Sequence, residues 1–510
     1  MKKTAVAVIG LAAASALALS ACSGGNGGGS EPDAPKVTDL KIGNFLDIKA
    51  WDPANADIGF DGPYLSAVYD PLVRIDEKGD PKPALATKWE YSQDKKTLTM
   101  DLRTDVTFSD GEKFDADAAV LALDHLKNGT RSSDAYTSLD SVTKVDEDTI
   151  TLNLNRRDDS LLYLMGSGRS WIASPKAIQS GMLDKEPVGS GPYTLDAAKS
   201  TPGSIYTFTK VKDHWDAKLF PFETVTIQPF GDPTARQNAM LAGQVNLIYG
   251  AETDLQQAED KGWNVAEKVG NWVGIQFTDR VGSVLPPLGD VRVRKAIAHA
   301  FDGAAILKSI SNGVGAETNQ VFPADGAISD KKLNDAYKHD VAKAKQLLAE
   351  AGYPDGFSLH MPMSPIFQTW QAVATQGLEA IGIKVTWDDM QMPDYQKNAA
   401  SYPMFLAVLA IDSDPATTVA RQVSTVQWYN PNAVRDVEAY PELKDLVAEV
   451  GSTEGDAQTA AIKKLNEKLV ELVWENVWYQ GKNLYFSTPG IKVTPVTGLM
   501  FPTLNFIQQG

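Results

Sequence analysis

The sequence predicts a mixed α/β fold, and three observations carry that expectation. Two short runs alternate strictly. Leu98, Met100 and Leu102 fall on one face of Thr97–Leu102, and Ile150, Leu152 and Leu154 do the same in Thr149–Leu154. A period of two marks a half-buried strand. Other stretches carry a helical stripe behind a capping carboxylate. Val293, Ala296, Ile297, Ala300 and Phe301 follow Asp290 at helical spacing, and Val341, Ala344, Leu348 and Ala351 follow Asp340. Finally, strand and helix patterns mix along the whole chain, with no repeat at a solenoid period.

The elements follow in order. Lys2-Lys3, an apolar run from Ala5 to Leu19 and the small residues of Leu19-Ser20-Ala21-Cys22 describe a secretory signal. That run is too short to span a bilayer comfortably. Leu-Ser-Ala-Cys also resembles the lipobox of bacterial lipoproteins, in which the cysteine is acylated. Cys22 is the only cysteine, so no internal disulfide is possible and lipidation explains the lone thiol. Ser23–Ser30 is a Gly-rich tether. Residues 1–21 are therefore expected as a signal and 22–36 as a flexible tether.

Order is expected from Val37, with a strand at Leu40–Ile42, a turn at Trp51-Asp52-Pro53-Ala54 and a helix over Tyr64–Val73. A helix at Ala116–Leu126 separates the two alternating strands. Asp302 is placed to cap a helix after the one behind Asp290. Gly352 and Pro354 close the helix behind Asp340. A strand follows at Ile383–Trp387, and a long final helix carries Ile462, Leu465, Leu469, Leu472 and Val473.

Composition narrows the function. The chain has 510 residues, 43% of them hydrophobic, and a formal charge of −17. It is large enough for more than one lobe. An acidic surface argues against nucleic acid and anionic lipid as partners. His125, His214, His299, His339 and His360 have no metal-ligand spacing. No nucleophile elbow or phosphate loop is present, so an enzyme is not expected, and neither is a cofactor.

One spaced series carries a family resemblance. Tyr69-Asp70-Pro71-Leu72-Val73 is followed by Pro83–Ala86, Trp89, Leu102-Arg103, Val106, Phe108-Ser109-Asp110-Gly111 and Phe114. Pro187-Val188-Gly189-Ser190-Gly191-Pro192-Tyr193, Asp290–Ala296 and the block from Ala344 to Phe357 continue it. The ordered set resembles the family 5 solute-binding proteins, extracellular receptors of peptide and nickel importers. The resemblance implies a type II periplasmic-binding-protein-like fold of two lobes with a ligand cleft between them. Lobe I is then expected at 37–272, with an inserted subdomain at about 58–185, and lobe II at 273–480. Residues 481–510 return to lobe I. Arg103, Arg292, the Asp110-Gly111 turn and Gly189–Gly191 are read as structural.

The resemblance also implies a site. In peptide-binding relatives a lobe II strand ends in an Asp that pairs with the ligand's α-ammonium. Here that stretch is Ala407–Pro415, with Asp412 three residues before Pro415. A sheet edge supplies backbone hydrogen bonds to an extended peptide, and a buried ammonium needs a carboxylate. Asp412, with Ala410, Ile411 and Asp414, is the candidate ligand-binding group. The alternative is that Asp412 and Asp414 only start a turn before Pro415. Among Trp272, Trp370, Trp387, Trp428 and Tyr429, Trp387 and Trp428 are chosen as cleft candidates, with core packing as the alternative.

Three departures from the family pattern stand out. No Trp precedes Asp412, no Arg stands at Ser364–Phe367, and Asn246 replaces an Asp expected near the cleft. The expected function is a membrane-anchored, extracytoplasmic receptor, a monomer, that delivers oligopeptides to an ABC permease with a separate ATPase. Oligosaccharide, nickel chelate or haem as cargo, or peptide sensing without transport, remain alternatives.

Overall fold

The computed structural model describes residues 36–510; the signal, Cys22 and most of the tether lie outside the described residues. In chain order the main elements are β1 (Asp39–Asn44), α1 (Ile58–Val68), β2 (Ala86–Tyr91), β3 (Thr97–Leu102), α2 (Ala116–Lys127), β4 (Leu139–Lys144) and β5 (Thr149–Leu154). Next come β6 (Tyr193–Leu195), β7 (Tyr206–Lys210), β8 (Thr224–Pro229), β9 (Leu247–Gly250) and β10 (Asn264–Phe277). The second half holds α3 (Val291–His299), α4 (Gly303–Ile310), β11 (Gly315–Glu317), α5 (Val341–Glu350), β12 (Ser358–Met363) and β13 (Lys384–Asp389). It ends with β14 (Met404–Ala410), α6 (Pro415–Val419), α7 (Gly455–Leu472) and β15 (Glu475–Ser487).

One mixed sheet of nine strands runs through the molecule in the order β14-β10-β15-β9-β1-β8-β7-β6, with β11 also on β15. β1 is parallel to β8 and β9, and the remaining pairs are antiparallel. β10 and β15 are the long strands, with 14 and 13 residues. Each is bulged once against the other. Gly270 is the extra residue between Val269 and Asn271, and Trp478 the extra residue between Val477 and Tyr479. A bulge bends a strand and re-aims its side chains; the one at Gly270 bears on the site described below.

The two alternating runs form adjacent antiparallel strands, β3 and β5, with Leu98 opposite Leu152 and Met100 opposite Ile150. All six apolar residues of these runs are buried. They belong to a four-stranded sheet, β2-β3-β5-β4, covered by α2, whose cap is Asp115. The helices expected behind Asp290, Asp302 and Asp340 are α3, α4 and α5, each carboxylate accepting a backbone N–H of its first turn. Gly352 ends α5 at φ +95°.

Two boundaries differ from expectation. The helix placed at Tyr64–Val73 is α1, capped by Asp57 and ending at Val68. Pro63 lies inside the helix. Asp70 stands before Pro71, where the helical backbone is disfavoured, so the chain leaves the helix there. Val473 does not continue α7; it is the left-handed cap at φ 45°.

Three main cores divide the apolar residues. One draws only on residues between Val269 and Tyr479. A second draws on Ala54–Ile172 with Val496, Leu499 and Phe506. The third joins Leu40, Ile42, Phe208, Ile227 and Leu247 to Tyr485, Phe501 and Ile507 near the chain's end.

Candidate functional site

β14 is the edge strand of the large sheet. Its sequence, MFLAVLA, is apolar because one flank packs on β10 over Asn271–Phe277 and its side chains enter the first core. Beyond Ala410, which is exposed, Ile411 donates its N–H to the Gly270 carbonyl at 3.2 Å. That bond anchors the strand end to the bulge in β10 and fixes the next residue, Asp412.

Asp412 is only 4% exposed. Its carboxylate accepts from Nη1 of Arg421 at 3.0 and 3.2 Å. Arg421 lies on a π-turn, Ala420–Ser424, that continues α6. Such a turn adds a residue per bond and swings side chains off the helical register. Asp412 holds the Arg421 guanidinium above its ordinary pKa. Nε of Arg421 and Oη of Tyr429, itself 3% exposed, have no hydrogen-bond partner among the described residues.

Asp414 plays a different part. It caps α6, accepting from the N–H and hydroxyl of Thr417, both at 2.7 Å. Burial pushes its carboxyl up to about 6, against the hydrogen bonds from Thr417. The turn-starting alternative thus describes Asp414, while Asp412 faces a cation.

The second core reaches this point through Tyr163. Its hydroxyl accepts from the Ser413 N–H at 3.2 Å and from the Ser413 hydroxyl at 3.3 Å. A cavity of about 310 Å³ opens beside Arg421, walled by Asp134, Arg157 and Asp158 on one side and Arg421, Thr425 and Gln427 on the other. Behind Ile411 lies the pair of long strands, β10 and β15. Gly270 lies against the amide of Asn483, whose Oδ1 accepts from Tyr249 at 3.0 Å, and Tyr249 packs on Phe45 at 5.3 Å between ring centres.

The other candidates fall as follows. Trp428 is 43% exposed, stacks on Phe405 and meets Tyr429 edge-on at 5.4 Å, which brings it to the Arg421 side of the group. Trp387 is half-buried on the first core and gives its N–H to Thr375 at 3.0 Å, so its indole is committed to packing on a helix. Trp272 is fully buried, and Trp370 donates to Tyr479. Asn246 accepts from the Lys41 N–H and donates to the Asp39 carbonyl, so it stitches β1 in place. Arg103 lies over Trp215 and Arg292 pairs with Asp290.

Arg421 and Tyr163 escaped the sequence reading, and Tyr429 stands there among the cleft aromatics but is not chosen. Arg421 stands nine residues past Asp412, and no helical or strand period relates the two. A cation soon after a buried Asp was the one available signal. Among the described residues no group of three or more His, Cys, Asp or Glu could hold a metal ion.

The sequence model of the bacterial extracellular solute-binding proteins, family 5 Middle, matches residues 80–430. The heme-binding protein A of Haemophilus influenzae is 29% identical over 378 residues, covering 65% of this chain and 66% of that protein. The glutathione-binding protein GsiB of Salmonella paratyphi A is 28% identical over 344 residues, with the same two coverages. The chain thus spans just under two thirds of the length of these relatives. The solved structure of the binding protein AgaA from A. tumefaciens R10, in complex with agropinic acid, superposes with a TM-score of 0.77 at 22% identity. That superposition covers 92% of this chain and 99% of AgaA, a likeness of fold. Because the family model takes in well over half of its sequence, this chain belongs to the bacterial extracellular solute-binding proteins, family 5.

Proposed function

We propose that the protein captures short peptides with a free N-terminus between two lobes and hands them to an ABC permease driven by a separate ATPase. The lobes are those expected from the sequence, 37–272 completed by 481–510, and 273–480. The separate core confined to Val269–Tyr479 supports that division. The observation that carries the ligand reading is Asp412, a buried carboxylate at the end of an edge strand. The exposed strand end offers backbone groups to an extended ligand, and Asp412 offers its ammonium a partner. Arg421 occupies that carboxylate now, so an arriving ammonium must share it.

That arrangement favours a second reading over the remaining alternatives: a ligand headed by an α-amino acid, with ammonium and carboxylate on one carbon. Asp412 takes the ammonium, and the partly exposed guanidinium of Arg421 takes the carboxylate. The γ-glutamyl end of glutathione has this form, and a relative is named for binding it.

Calorimetric titration with trialanine, N-acetyl-trialanine and glutathione tests both. Asp412→Asn is expected to weaken trialanine by about 10- to 100-fold, the worth of a charged hydrogen bond, and to leave N-acetyl-trialanine unchanged. Equal loss for both would remove the ammonium role. Arg421→Gln is expected to weaken glutathione more than trialanine if the head-group reading holds.

The lipid anchor at Cys22 is part of the proposal. Its support is the Leu-Ser-Ala-Cys motif and the tether. Cys22→Ser is expected to move the protein from the membrane fraction to the soluble one; a variant that stays with the membrane refutes the anchor.

A further inference from the structure

Just after β5 the chain reads Arg156-Arg157-Asp158-Asp159, and its two arginines are held unlike. Arg157 gives its Nε to both carboxylate oxygens of Asp159 at 2.9 Å and its Nη2 to the Thr453 carbonyl at 2.7 Å. Arg156 donates to the Thr137 hydroxyl at 2.9 Å. Among the described residues the one carboxylate within 4 Å of it is Asp158, at 3.9 Å, which is beyond hydrogen-bond distance. Its side chain is 45% exposed. Arg156, Arg157 and Arg421 all line the cavity of about 310 Å³ beside the Asp412 group, a volume at the lower end of small-molecule sites.

The acids of this cavity are already engaged. Asp134 holds Arg169 through two bonds, at 2.7 and 2.9 Å. Asp159 holds Arg157 and also accepts from Gln458 at 3.0 Å. Asp158 is 10% exposed and accepts from Ser138 at 2.6 Å and from the N–H and hydroxyl of Ser160 at 3.0 and 2.5 Å. Arg421 has Asp412. Arg156 is therefore the cation of this lining with no carboxylate of its own in hydrogen-bond distance. The group that matches a guanidinium fork is a carboxylate, which accepts two parallel bonds. Charge points the same way. Asp412 and Arg421 neutralise each other, so an ammonium delivered to Asp412 leaves one positive charge in excess. An uncompensated charge in a largely buried group is costly, and a carboxylate on the same ligand offsets it.

We propose that Arg156 is a specificity-determining residue that takes the free C-terminal carboxylate of the bound peptide, so that the preferred ligand is a short peptide unmodified at both ends. This rests on the peptide reading above. Calorimetric titration of the full chain compares trialanine with trialaninamide, which keeps the ammonium and lacks the carboxylate. The wild type is expected to bind trialanine about tenfold more tightly, the worth of one partly exposed charged hydrogen bond. Arg156→Gln is expected to bind trialanine as weakly as the amide, to bind the amide as the wild type does, and to melt as the wild type does without ligand. Arg156→Lys keeps the charge and loses the fork, and is expected to keep part of the preference. Equal binding of acid and amide by the wild type overturns the role of Arg156 and leaves the peptide reading standing. A preference that survives in Arg156→Gln overturns it too, and moves the carboxylate to another cation. Loss of both compounds alike in that variant shows a structural role and overturns it as well. If the wild type binds neither compound, the peptide reading falls and the proposal falls with it.

Discussion

Asp412 and Asp414 stand two residues apart and do unlike work. Asp414 caps α6 and is buried without a cation, so its carboxyl sits near 6 in place of an ordinary 3.8. The folded chain then holds a proton that the unfolded chain releases at a lower pH. Asp414 thus favours folding fully below about pH 4, and that contribution is lost as pH rises through about 6. A shift of this size corresponds to about 2–3 kcal/mol across the window. Asparagine keeps the cap without titrating. Asp414→Asn is therefore expected to flatten the rise in unfolding free energy between pH 7.5 and pH 4.5, measured by urea titration at each pH. An unchanged slope would mean that Asp414 is not the titrating group. The sequence reading named both carboxylates as candidates. It had no means of dividing their roles, because the division rests on Arg421 reaching back through a π-turn.

At the scale of the element, the long strands β10 and β15 matter most, and their bulges most of all. Gly270 leaves no room for a side chain: a Cβ there would lie 2.4 Å from both amide heavy atoms of Asn483. Filling it must displace Asn483, its bond from Tyr249 and the Gly270 carbonyl that holds Ile411. Gly270→Val is expected to cost about 1–3 kcal/mol in stability, as overpacking does, and to weaken ligand binding more than tenfold. Gly231→Ala, with no atom within 4 Å of the new Cβ, is the control and is expected to match the wild type in thermal melting and titration. Strand existence was legible for β3 and β5, which announce themselves by alternation, and the family resemblance supplied β14. The bulges were not legible, because an extra residue is defined only by the register of the partner strand.

For the whole molecule, contacts distant in sequence hold the second core to the first. Arg157 donates to the Thr453 carbonyl at 2.7 Å, Gln458 donates to Asp159 at 3.0 Å, Lys95 pairs with Glu454 at 2.8 Å, and Tyr163 meets Ser413. Glu454 is 62% exposed, so the Lys95–Glu454 pair is worth little. Arg157 is mostly buried, pairs with Asp159 and satisfies a carbonyl, so it carries more. Arg157→Ala is expected to favour a separated arrangement, seen as a larger radius of gyration in solution scattering without ligand. If binding requires the closed arrangement, about 1 kcal/mol lost from closure weakens affinity roughly fivefold. Lys95→Ala is expected to change neither quantity measurably. Equal effects of the two variants would show that the Arg157 contact is no latch.

By itself the sequence determined the α/β class, the capped helices behind Asp290, Asp302 and Asp340, and the alternating strands. These follow from local rules, in which a carboxylate, a period or a glycine acts on its own neighbours. It also determined the family, because an ordered series of motifs is a property of the chain alone. The tertiary structure alone decided that Arg421 meets Asp412, that Tyr163 reaches Ser413 across 250 residues, and that bulges interrupt β10 at Gly270 and β15 at Trp478. Each depends on where two distant segments come to rest, which is set by the packing of whole cores and leaves no periodic mark on either segment.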